Sequence, residues 1–201
     1  MRHVMLPHIF SNWTELRWLC IQSNSFMGKI LPEIGAIPME IEKLKGLWDL
    51  DLSENHLAGS IPATIGNLTN LRNLILFSNV LSGTIPPEIG NLKQFLTLGL
   101  SENNLAGSVP ATVELRVLEL NNNQLNGTIP PEIVNLALLR IFYLSNNQFN
   151  GKLPDSISEM ISSLWVTLTP TGFLAEFPRT WESILPSWLI LIYQTTTFPV
   201  S

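Results

Sequence analysis

The sequence predicts an α/β solenoid, a right-handed superhelix of stacked coils in which each coil adds one strand to a parallel sheet. Three observations support this fold class. The phrase "SENHLAGSIPATIGNL", residues 53–68, recurs almost unchanged as "SENNLAGSVPATVEL", residues 101–115. An asparagine, followed four residues later by a glycine, returns at nearly constant spacing along the chain. Leucines alternate with other residues just before each asparagine, which is the period-2 pattern of a strand with one buried face.

The repeat is defined by its asparagines, which follow one another at intervals of 31, 24, 24, 20 and 24 residues. From the second coil onward, a proline stands three residues after the repeat glycine. An asparagine amide has two donor hydrogens and an acceptor oxygen, so we expect it to satisfy backbone groups of its own coil and of the next. The residues of this asparagine ladder are Asn24, Asn55, Asn79, Asn103, Asn123 and Asn147.

Each coil is expected to contain an inner strand and an outer crossing. In the second coil, Leu50 and Leu52 face the core, and Asp49 and Asp51 face outward. The repeat glycine permits a tight bend, and the proline stiffens the second leg of the coil. Segments such as "PATIGNL" and "PPEIGNL" then cross the convex side as short helical turns or loops, which leaves the parallel sheet on the concave side.

Two intervals differ from the common 24 residues, and both changes fall on the outer crossing. Four residues are missing between Pro110 and Leu118, compared with the segment from Pro86 to Leu98. We therefore expect the strand and the asparagine ladder to stay in register while one outer loop tightens. Seven extra residues precede Asn55, and the segment "ILPEIGAIPMEI", residues 30–41, doubles the pattern I-P-x-E-I. This doubling predicts a bulging outer loop.

The motif resembles the plant-type leucine-rich repeat (LRR), L-x-x-L-x-x-L-x-L-x-x-N-x-L-x-G-x-I-P, over residues 16–178. This range holds about six clear repeats and a degenerate one, in which Thr171, Ala175 and Pro178 replace the Asn, Gly and Pro. Residues 1–15 are interpreted as a partial N-terminal coil, and residues 179–201 as a divergent C-terminal coil or tail. The paired cysteines that usually cap secreted plant relatives are missing, so we interpret the chain as an excerpt or a truncated copy of a longer LRR protein.

The phrases "LSENHLAGSIPATIGNLTNL" and "LSGTIPPEIGNL" are most similar to the extracellular segments of plant LRR receptor-like kinases and receptor-like proteins. This resemblance implies an extracellular, plasma-membrane-associated recognition module in plant signalling or defence, which binds a peptide or protein ligand or a co-receptor. The kinase domain of those proteins is not present in this sequence. One alternative is a secreted polygalacturonase-inhibitor-like defence protein, although the missing cysteine caps weigh against it. Another alternative is an LRR antifreeze protein.

The concave sheet is the usual binding surface of a solenoid, and its outward positions here are rich in aromatic, aliphatic and carboxylate side chains. The carboxylates favour a basic partner, whereas the other interpretation is a surface that binds nothing. The predicted ligand-binding residues are Trp18, Asp49, Asp51, Glu54, Ile75, Phe77, Glu102, Glu119, Ile141 and Tyr143.

A second stripe consists of the residue after each repeat glycine, which is hydroxylic in four consecutive coils. Stacking is expected to place these residues in a row, where their hydroxyl groups pair across strands. The alternative is an array that orders water, as in ice-binding proteins. The residues of this hydroxyl stripe are Ser60, Thr84, Ser108 and Thr128.

Composition and motifs argue against other classes of function. The net charge of −5 disfavours a nucleic-acid-binding surface. No nucleophile, base or metal-ligand set converges in the pattern, so we expect no enzymatic activity and no cofactor or metal. The single cysteine, Cys20, cannot form an intrachain disulfide and is expected to face outward without a reactive role.

The sequence also bears on location and modification. No signal peptide is predicted. No transmembrane segment is predicted either, because the most apolar late stretch, Trp188–Tyr193, is far shorter than the roughly 20 residues of a membrane helix. Asn12, Asn67 and Asn126 begin N-x-S/T acceptor sites and are glycosylation candidates in a secreted protein. The uncapped ends favour end-to-end self-association.

Overall fold

The computed structural model describes residues 13, 15–24, 37, 39–109, 115–150 and 165–167. Most of the predicted outer bulge and the shortened part of the crossing at residues 110–114 lie outside these residues. The same holds for the two terminal segments, which include Asn12 and the degenerate positions Thr171, Ala175 and Pro178.

A seven-stranded parallel sheet runs along one side of the solenoid, and each coil adds its strand beside that of the preceding coil. The register is constant across the irregular intervals, since Trp18 pairs with Asp49 across the 31-residue step and Thr97 pairs with Val117 across the 20-residue step. The predicted strand register is therefore confirmed. The strands are β1 (Trp18–Cys20), β2 (Asp49–Asp51), β4 (Asn73–Ile75), β6 (Thr97–Gly99), β8 (Val117–Glu119), β10 (Ile141–Tyr143) and β12 (Trp165–Thr167).

A second parallel sheet lies after the asparagines, where the sequence indicated only a bend and a stiffened leg. It contains five strands, one from each of five successive coils. The extended residues that lead up to the repeat glycine pair with those of the neighbouring coil, which local sequence patterns do not reveal. The strands are β3 (Ala58–Gly59), β5 (Val80–Thr84), β7 (Asn104–Gly107), β9 (Gln124–Gly127) and β11 (Gln148–Phe149).

Short 3₁₀ helices form the outer crossings, as the sequence predicted. They are Met39–Lys43, Ala63–Asn67, Pro87–Asn91 and Pro131–Asn135. The prolines before the last three have φ between −71° and −65°, the range fixed by the pyrrolidine ring. Gly66 allows neighbouring crossings to stack closely, because a Cβ there would lie 2.4 Å from the carbonyl oxygen of Glu88.

The space between the two sheets and the crossings is filled by aliphatic and aromatic side chains. From β1 to β10, the central residue of each strand of the seven-stranded sheet points inward and joins one continuous core cluster. A single coil could not bury these side chains, so stacking creates the core. From β2 to β10 these central residues are Leu50, Leu74, Leu98, Leu118 and Phe142, each no more than 1% exposed.

The asparagine ladder closes each coil against its neighbour. In one typical coil, the Nδ2 of Asn79 donates to the carbonyl oxygen of Leu76 at 3.1 Å and to that of Leu52 in the preceding coil at 3.0 Å. Its Oδ1 accepts the backbone N–H of Leu57, also in the preceding coil, at 2.9 Å. The expected bonds within its own coil are confirmed. The expected bonds to the next coil are wrong in direction, because the other groups within reach of the amide belong to the preceding coil. Asn24 is exposed and, within the described part of the chain, donates only to Ile21 and Gln22 of its own coil.

The residue before each ladder asparagine adopts the left-handed backbone conformation, with φ between 51° and 57°. Non-glycine residues seldom adopt this conformation, because it crowds Cβ against the following carbonyl oxygen. Here it turns the chain at the end of the strand so that the asparagine enters the core. The residues concerned are Ser23, Glu54, Ser78, Glu102, Asn122 and Asn146.

The repeat glycines also have positive φ, from 77° to 82° at Gly59, Gly83, Gly107 and Gly127, which confirms their predicted role. Their surroundings differ. A Cβ at Gly107 would lie 2.9 Å from the Cγ2 atom of Thr84, whereas a Cβ at Gly127 would meet no atom within 4 Å. Gly107 is therefore needed for both backbone conformation and space, and Gly127 for backbone conformation alone.

Replacing Asn79 with alanine should lower the free energy of unfolding by about 3 kcal/mol, because an unsatisfied buried polar group costs about 1–3 kcal/mol and several would be left. Asn24→Ala is the matched control and should cost less than about 1 kcal/mol, because Asn24 is exposed. Urea denaturation followed by circular dichroism measures both values. Equal losses in the two variants would contradict the assigned role of the ladder.

The two glycine positions give a second comparison. Gly127→Ala should destabilise the protein by about 1 kcal/mol through backbone strain alone. Gly107→Ala should cost at least about 1 kcal/mol more, because the new methyl group also overlaps Thr84. Thermal and urea unfolding of the two purified variants provide the measurement. A Gly107→Ala variant no less stable than Gly127→Ala would show that the steric contact is unimportant.

Candidate functional site

The outward side chains of the seven-stranded sheet form columns across the coils, because the strands are parallel and in register. We call these columns, with the turn residues that directly follow the strands, the sheet face. The first column contains Trp18, Asp49, Asn73, Thr97, Val117 and Ile141, and the second contains Cys20, Asp51, Ile75, Gly99, Glu119 and Tyr143. The structure thus places the predicted ligand-binding residues on one surface, either in these columns or, for Glu54, Phe77 and Glu102, in the turns that follow.

The apolar side chains of the sheet face form two patches. Ile75 and Phe77 come from the same coil, Ile141 and Tyr143 come from another, and all four are partly exposed. Three strand spacings separate the patches, which corresponds to about 14 Å. Trp18 lies near the first edge of the sheet and is 58% exposed. The face therefore presents separate apolar contact points rather than a continuous apolar groove.

Gly99 leaves a gap in the second column between the two patches. An ideal Cβ built at Gly99 would lie 3.4 Å from the Cδ1 atom of Ile75 and 3.6 Å from the Oε2 atom of Glu119. Both neighbouring side chains therefore lean over the glycine backbone. Burial raises the pKa of the Glu119 carboxyl group above its ordinary value, because the charged form loses hydration there.

Most of the other predicted carboxylates already accept hydrogen bonds within the protein. The amide of Asn73 donates to Asp49, and the hydroxyl of buried Ser53 donates to Asp51 at 2.6 Å. In the turns, Ser23 donates to Glu54 at 2.6 Å and Ser78 donates to Glu102 at 2.5 Å. These bonds fix the orientation of the carboxylates, and each carboxylate keeps acceptor capacity for a ligand.

A cluster of aromatic and guanidinium groups at the first edge was not predicted from the sequence. The rings of Trp18 and Trp48 meet edge to face, with centroids 5.7 Å apart. The Cζ atoms of Arg17 and Arg72 lie 4.9 and 4.8 Å from the centroid of Trp48. Trp48, Arg17 and Arg72 were missed because each precedes a strand, outside the alternation that identified outward positions. The sequence did contain a signal for these residues, because arginine recurs at the position just before the strand in several repeats.

Cys20 faces outward, as predicted, and is exposed. Desolvation raises the pKa of its thiol, and the negative charges of Asp51 and Asp49 raise it further. The thiol is therefore protonated at neutral pH and is a poor nucleophile. Among the described residues, no group of three or more His, Cys, Asp or Glu side chains could hold a metal ion. No helix in this part of the chain is long and apolar enough to cross a membrane.

The remaining candidate residues lie away from the sheet face. Asn67 is exposed at the end of a 3₁₀ helix and donates to the Oε2 atom of Glu42 at 2.7 Å, and Asn126 is exposed on β9. The side chains of the hydroxyl stripe are exposed, but they do not form a straight row across the coils. Thr84 pairs with Ala106, two residues before Ser108, and lies beside the glycine of the next coil.

The repeats match a known family in sequence and in structure. The sequence profile described as Leucine Rich Repeat matches residues 46–68, 70–92, 114–136 and 138–160. The LRR ectodomain of the Arabidopsis thaliana receptor kinase GASSHO1/SCHENGEN3, solved with CASPARIAN STRIP INTEGRITY FACTOR 2, is 37% identical with a TM-score of 0.68. The protein is a plant-type leucine-rich repeat protein. The alignment covers 78% of this LRR chain and 18% of the receptor chain.

Two further solved structures are similar to this LRR protein. The Arabidopsis HAESA ectodomain, solved with an IDA peptide hormone, is 33% identical with a TM-score of 0.69, and the alignment covers 80% of this chain and 28% of that one. A plant ice-binding protein is 29% identical with a TM-score of 0.64, and the alignment covers 79% of this chain and 49% of that one. This LRR chain therefore spans less than a third of the two receptor ectodomains. A sequence comparison with curated proteins found no match.

Glu119→Gln should change how the stability of the LRR depends on pH. The folded-state pKa of Glu119 is raised above 4.5, so the parent protein loses stability as the pH rises through the range above that value. The variant should be more stable than the parent at about pH 7, and the difference should shrink near pH 4. Urea denaturation at both pH values tests this. A difference that does not change with pH would assign the effect to packing.

Proposed function

We propose that this LRR segment is a non-enzymatic recognition module that binds a peptide or protein segment across the sheet face. The proposal rests chiefly on the two apolar patches, in which Ile75, Phe77, Ile141 and Tyr143 remain partly exposed among polar neighbours. Burying such a side chain against a ligand contributes roughly 1.5–3 kcal/mol. Two patches about 14 Å apart match the length of four extended peptide residues.

The rigidity of the sheet supports the same proposal. Ordering flexible side chains and loops reduces binding affinity, and a preformed surface avoids much of this loss. The inner strands of the sheet are hydrogen-bonded on both sides, and serine and asparagine donors hold several outward carboxylates in place. A ligand would therefore meet a surface that is already arranged.

The similar receptors support a role in extracellular recognition. HAESA was solved with a peptide hormone, and GASSHO1/SCHENGEN3 is described as a plant membrane receptor kinase. By analogy, the partner of this chain is a peptide ligand or a co-receptor, and its location is extracellular. Because the chain spans only a part of those ectodomains, the proposal covers the recognition step alone.

Ice binding is a second candidate, and it has its own supporting observation. The plant ice-binding protein is similar over 79% of this chain, and the hydroxyl stripe is exposed at the ends of the strands of the second sheet. The stepped arrangement of the stripe is less regular than a flat lattice of hydroxyl groups. Thermal hysteresis of the purified protein separates the candidates, because peptide recognition predicts none.

Selection of binders from a displayed library of random peptides tests peptide recognition. Synthetic versions of the selected peptides should bind the parent protein, and Phe77→Ala and Tyr143→Ala should each weaken binding by at least about tenfold, or about 1.4 kcal/mol. Met39→Ala is the matched control, because Met39 is 65% exposed on an outer crossing. Fluorescence anisotropy with labelled peptides gives the dissociation constants. If neither sheet-face variant weakened binding, the proposed function would be wrong.

A further inference from the structure

The residue that precedes each strand of the seven-stranded sheet belongs to a further column, which we call the arginine edge. Backbone hydrogen bonds of 2.7–2.8 Å join each member to the next. Four of its six described positions are arginine, although the whole sequence contains only six arginines. All four arginines are exposed. In order, the column contains Arg17, Trp48, Arg72, Leu96, Arg116 and Arg140.

The guanidinium groups of the arginine edge are largely unpaired. Each carries five N–H donors. Among the described residues, Arg72 donates only to the Oε1 atom of Gln94, at 3.4 Å, and Arg140 donates only to the carbonyl oxygen of Leu139, at 3.0 Å. Within the part of the chain that the structure describes, no carboxylate forms an ion pair with any of the four arginines. The edge therefore presents a row of positive charges that no described carboxylate neutralises through an ion pair.

Two of these arginines are held in place before any ligand arrives. Arg17 and Arg72 lie against the ring of Trp48, and the edge of Trp18 packs on the same ring. A cation–π contact involves the face of the ring and leaves the donors of the guanidinium group available. Because the side chains are already ordered, less conformational entropy is lost when an anion binds.

The neighbouring columns restrict the kind of anion. Asp49 lies in the first column, directly beside the arginine edge, and Asp51 lies in the second column, two residues further along the strand. A polymer with a negative charge on every unit would meet these carboxylates as well as the arginines, and the net charge of −5 adds to the repulsion. A peptide can place acidic side chains over the edge and uncharged or basic side chains over the sheet. Charge complementarity therefore favours a peptide over a polyanion.

The spacing sets the length of that peptide. Successive coils of a parallel sheet lie about 4.8 Å apart, so the five steps from Arg17 to Arg140 span about 24 Å. This distance corresponds to about seven residues of extended chain. We propose that the sheet face binds an extended acidic peptide of at least this length, whose Asp or Glu side chains contact the arginine edge while apolar side chains contact Phe77 and Tyr143. This inference rests on the proposed function and specifies its ligand.

The same displayed library tests the inference. Peptides selected on the parent protein should be enriched in Asp and Glu. The double variant Arg116→Gln/Arg140→Gln should weaken their binding by about tenfold or more and reduce the salt dependence, because two charge-assisted contacts are lost. These two arginines make no contact with Trp48, so the aromatic cluster is left intact. Lys43→Gln/Lys93→Gln is the matched control, since it removes the same charge from exposed positions on the outer side and should change affinity less than twofold.

The outcomes separate the inference from the function on which it rests. Selected peptides that need Phe77 and Tyr143 but show neither acidic enrichment nor sensitivity to Arg116→Gln/Arg140→Gln would overturn the arginine edge and leave the proposed function standing. A selection that recovers no peptide, or only peptides insensitive to all of these substitutions, would count against both. Displacement of the selected peptides by polygalacturonate at equal charge concentration would overturn the assignment to a peptide.

Discussion

The whole solenoid depends on the hydrogen bonds of the asparagine amide. A chain that turns inward at the end of every strand buries backbone groups that have no partner in either sheet. Asn79 and its equivalents satisfy those groups in two coils at once, through Nδ2 to carbonyl oxygens and through Oδ1 to an N–H group. Leucine burial supplies most of the stabilisation, but it is not directional. The amide fixes the position of each coil relative to its neighbour, and hence the register of the sheet.

Constant register turns the outward surface into columns that can vary independently of the fold. Exchanging Phe77 or Arg116 alters what the face presents without touching the buried leucines. The turn before the ladder is less free, because Glu54 and Glu102 adopt the left-handed backbone and are bonded to serines of the preceding coil. The turn residues therefore belong to the proposed binding surface and are also constrained by the fold. The outward residues of the strands can change without affecting the core.

Much of the fold could be predicted because its signals are local. The alternation around Leu50 and the spacing of the asparagines fix the strands, the ladder and the crossings without knowledge of distant contacts. The second sheet and the direction of the ladder bonds depend on how coils meet, and no single repeat contains that information. The sequence placed Ile75 and Tyr143 correctly on the outward surface, but it missed Arg17 and Trp48 because they precede the strand. Whether these residues bind a ligand is still a prediction.

The direction of the ladder bonds has a consequence for synthesis on the ribosome. Each amide completes the coil that was made before it, so a backbone N–H group such as that of Leu57 lacks its amide acceptor until 22 further residues have emerged. The most recently translated coil is thus always the unfinished one. During synthesis, the amide–N–H bonds of successive coils can therefore form only in chain order, starting from the N-terminal side.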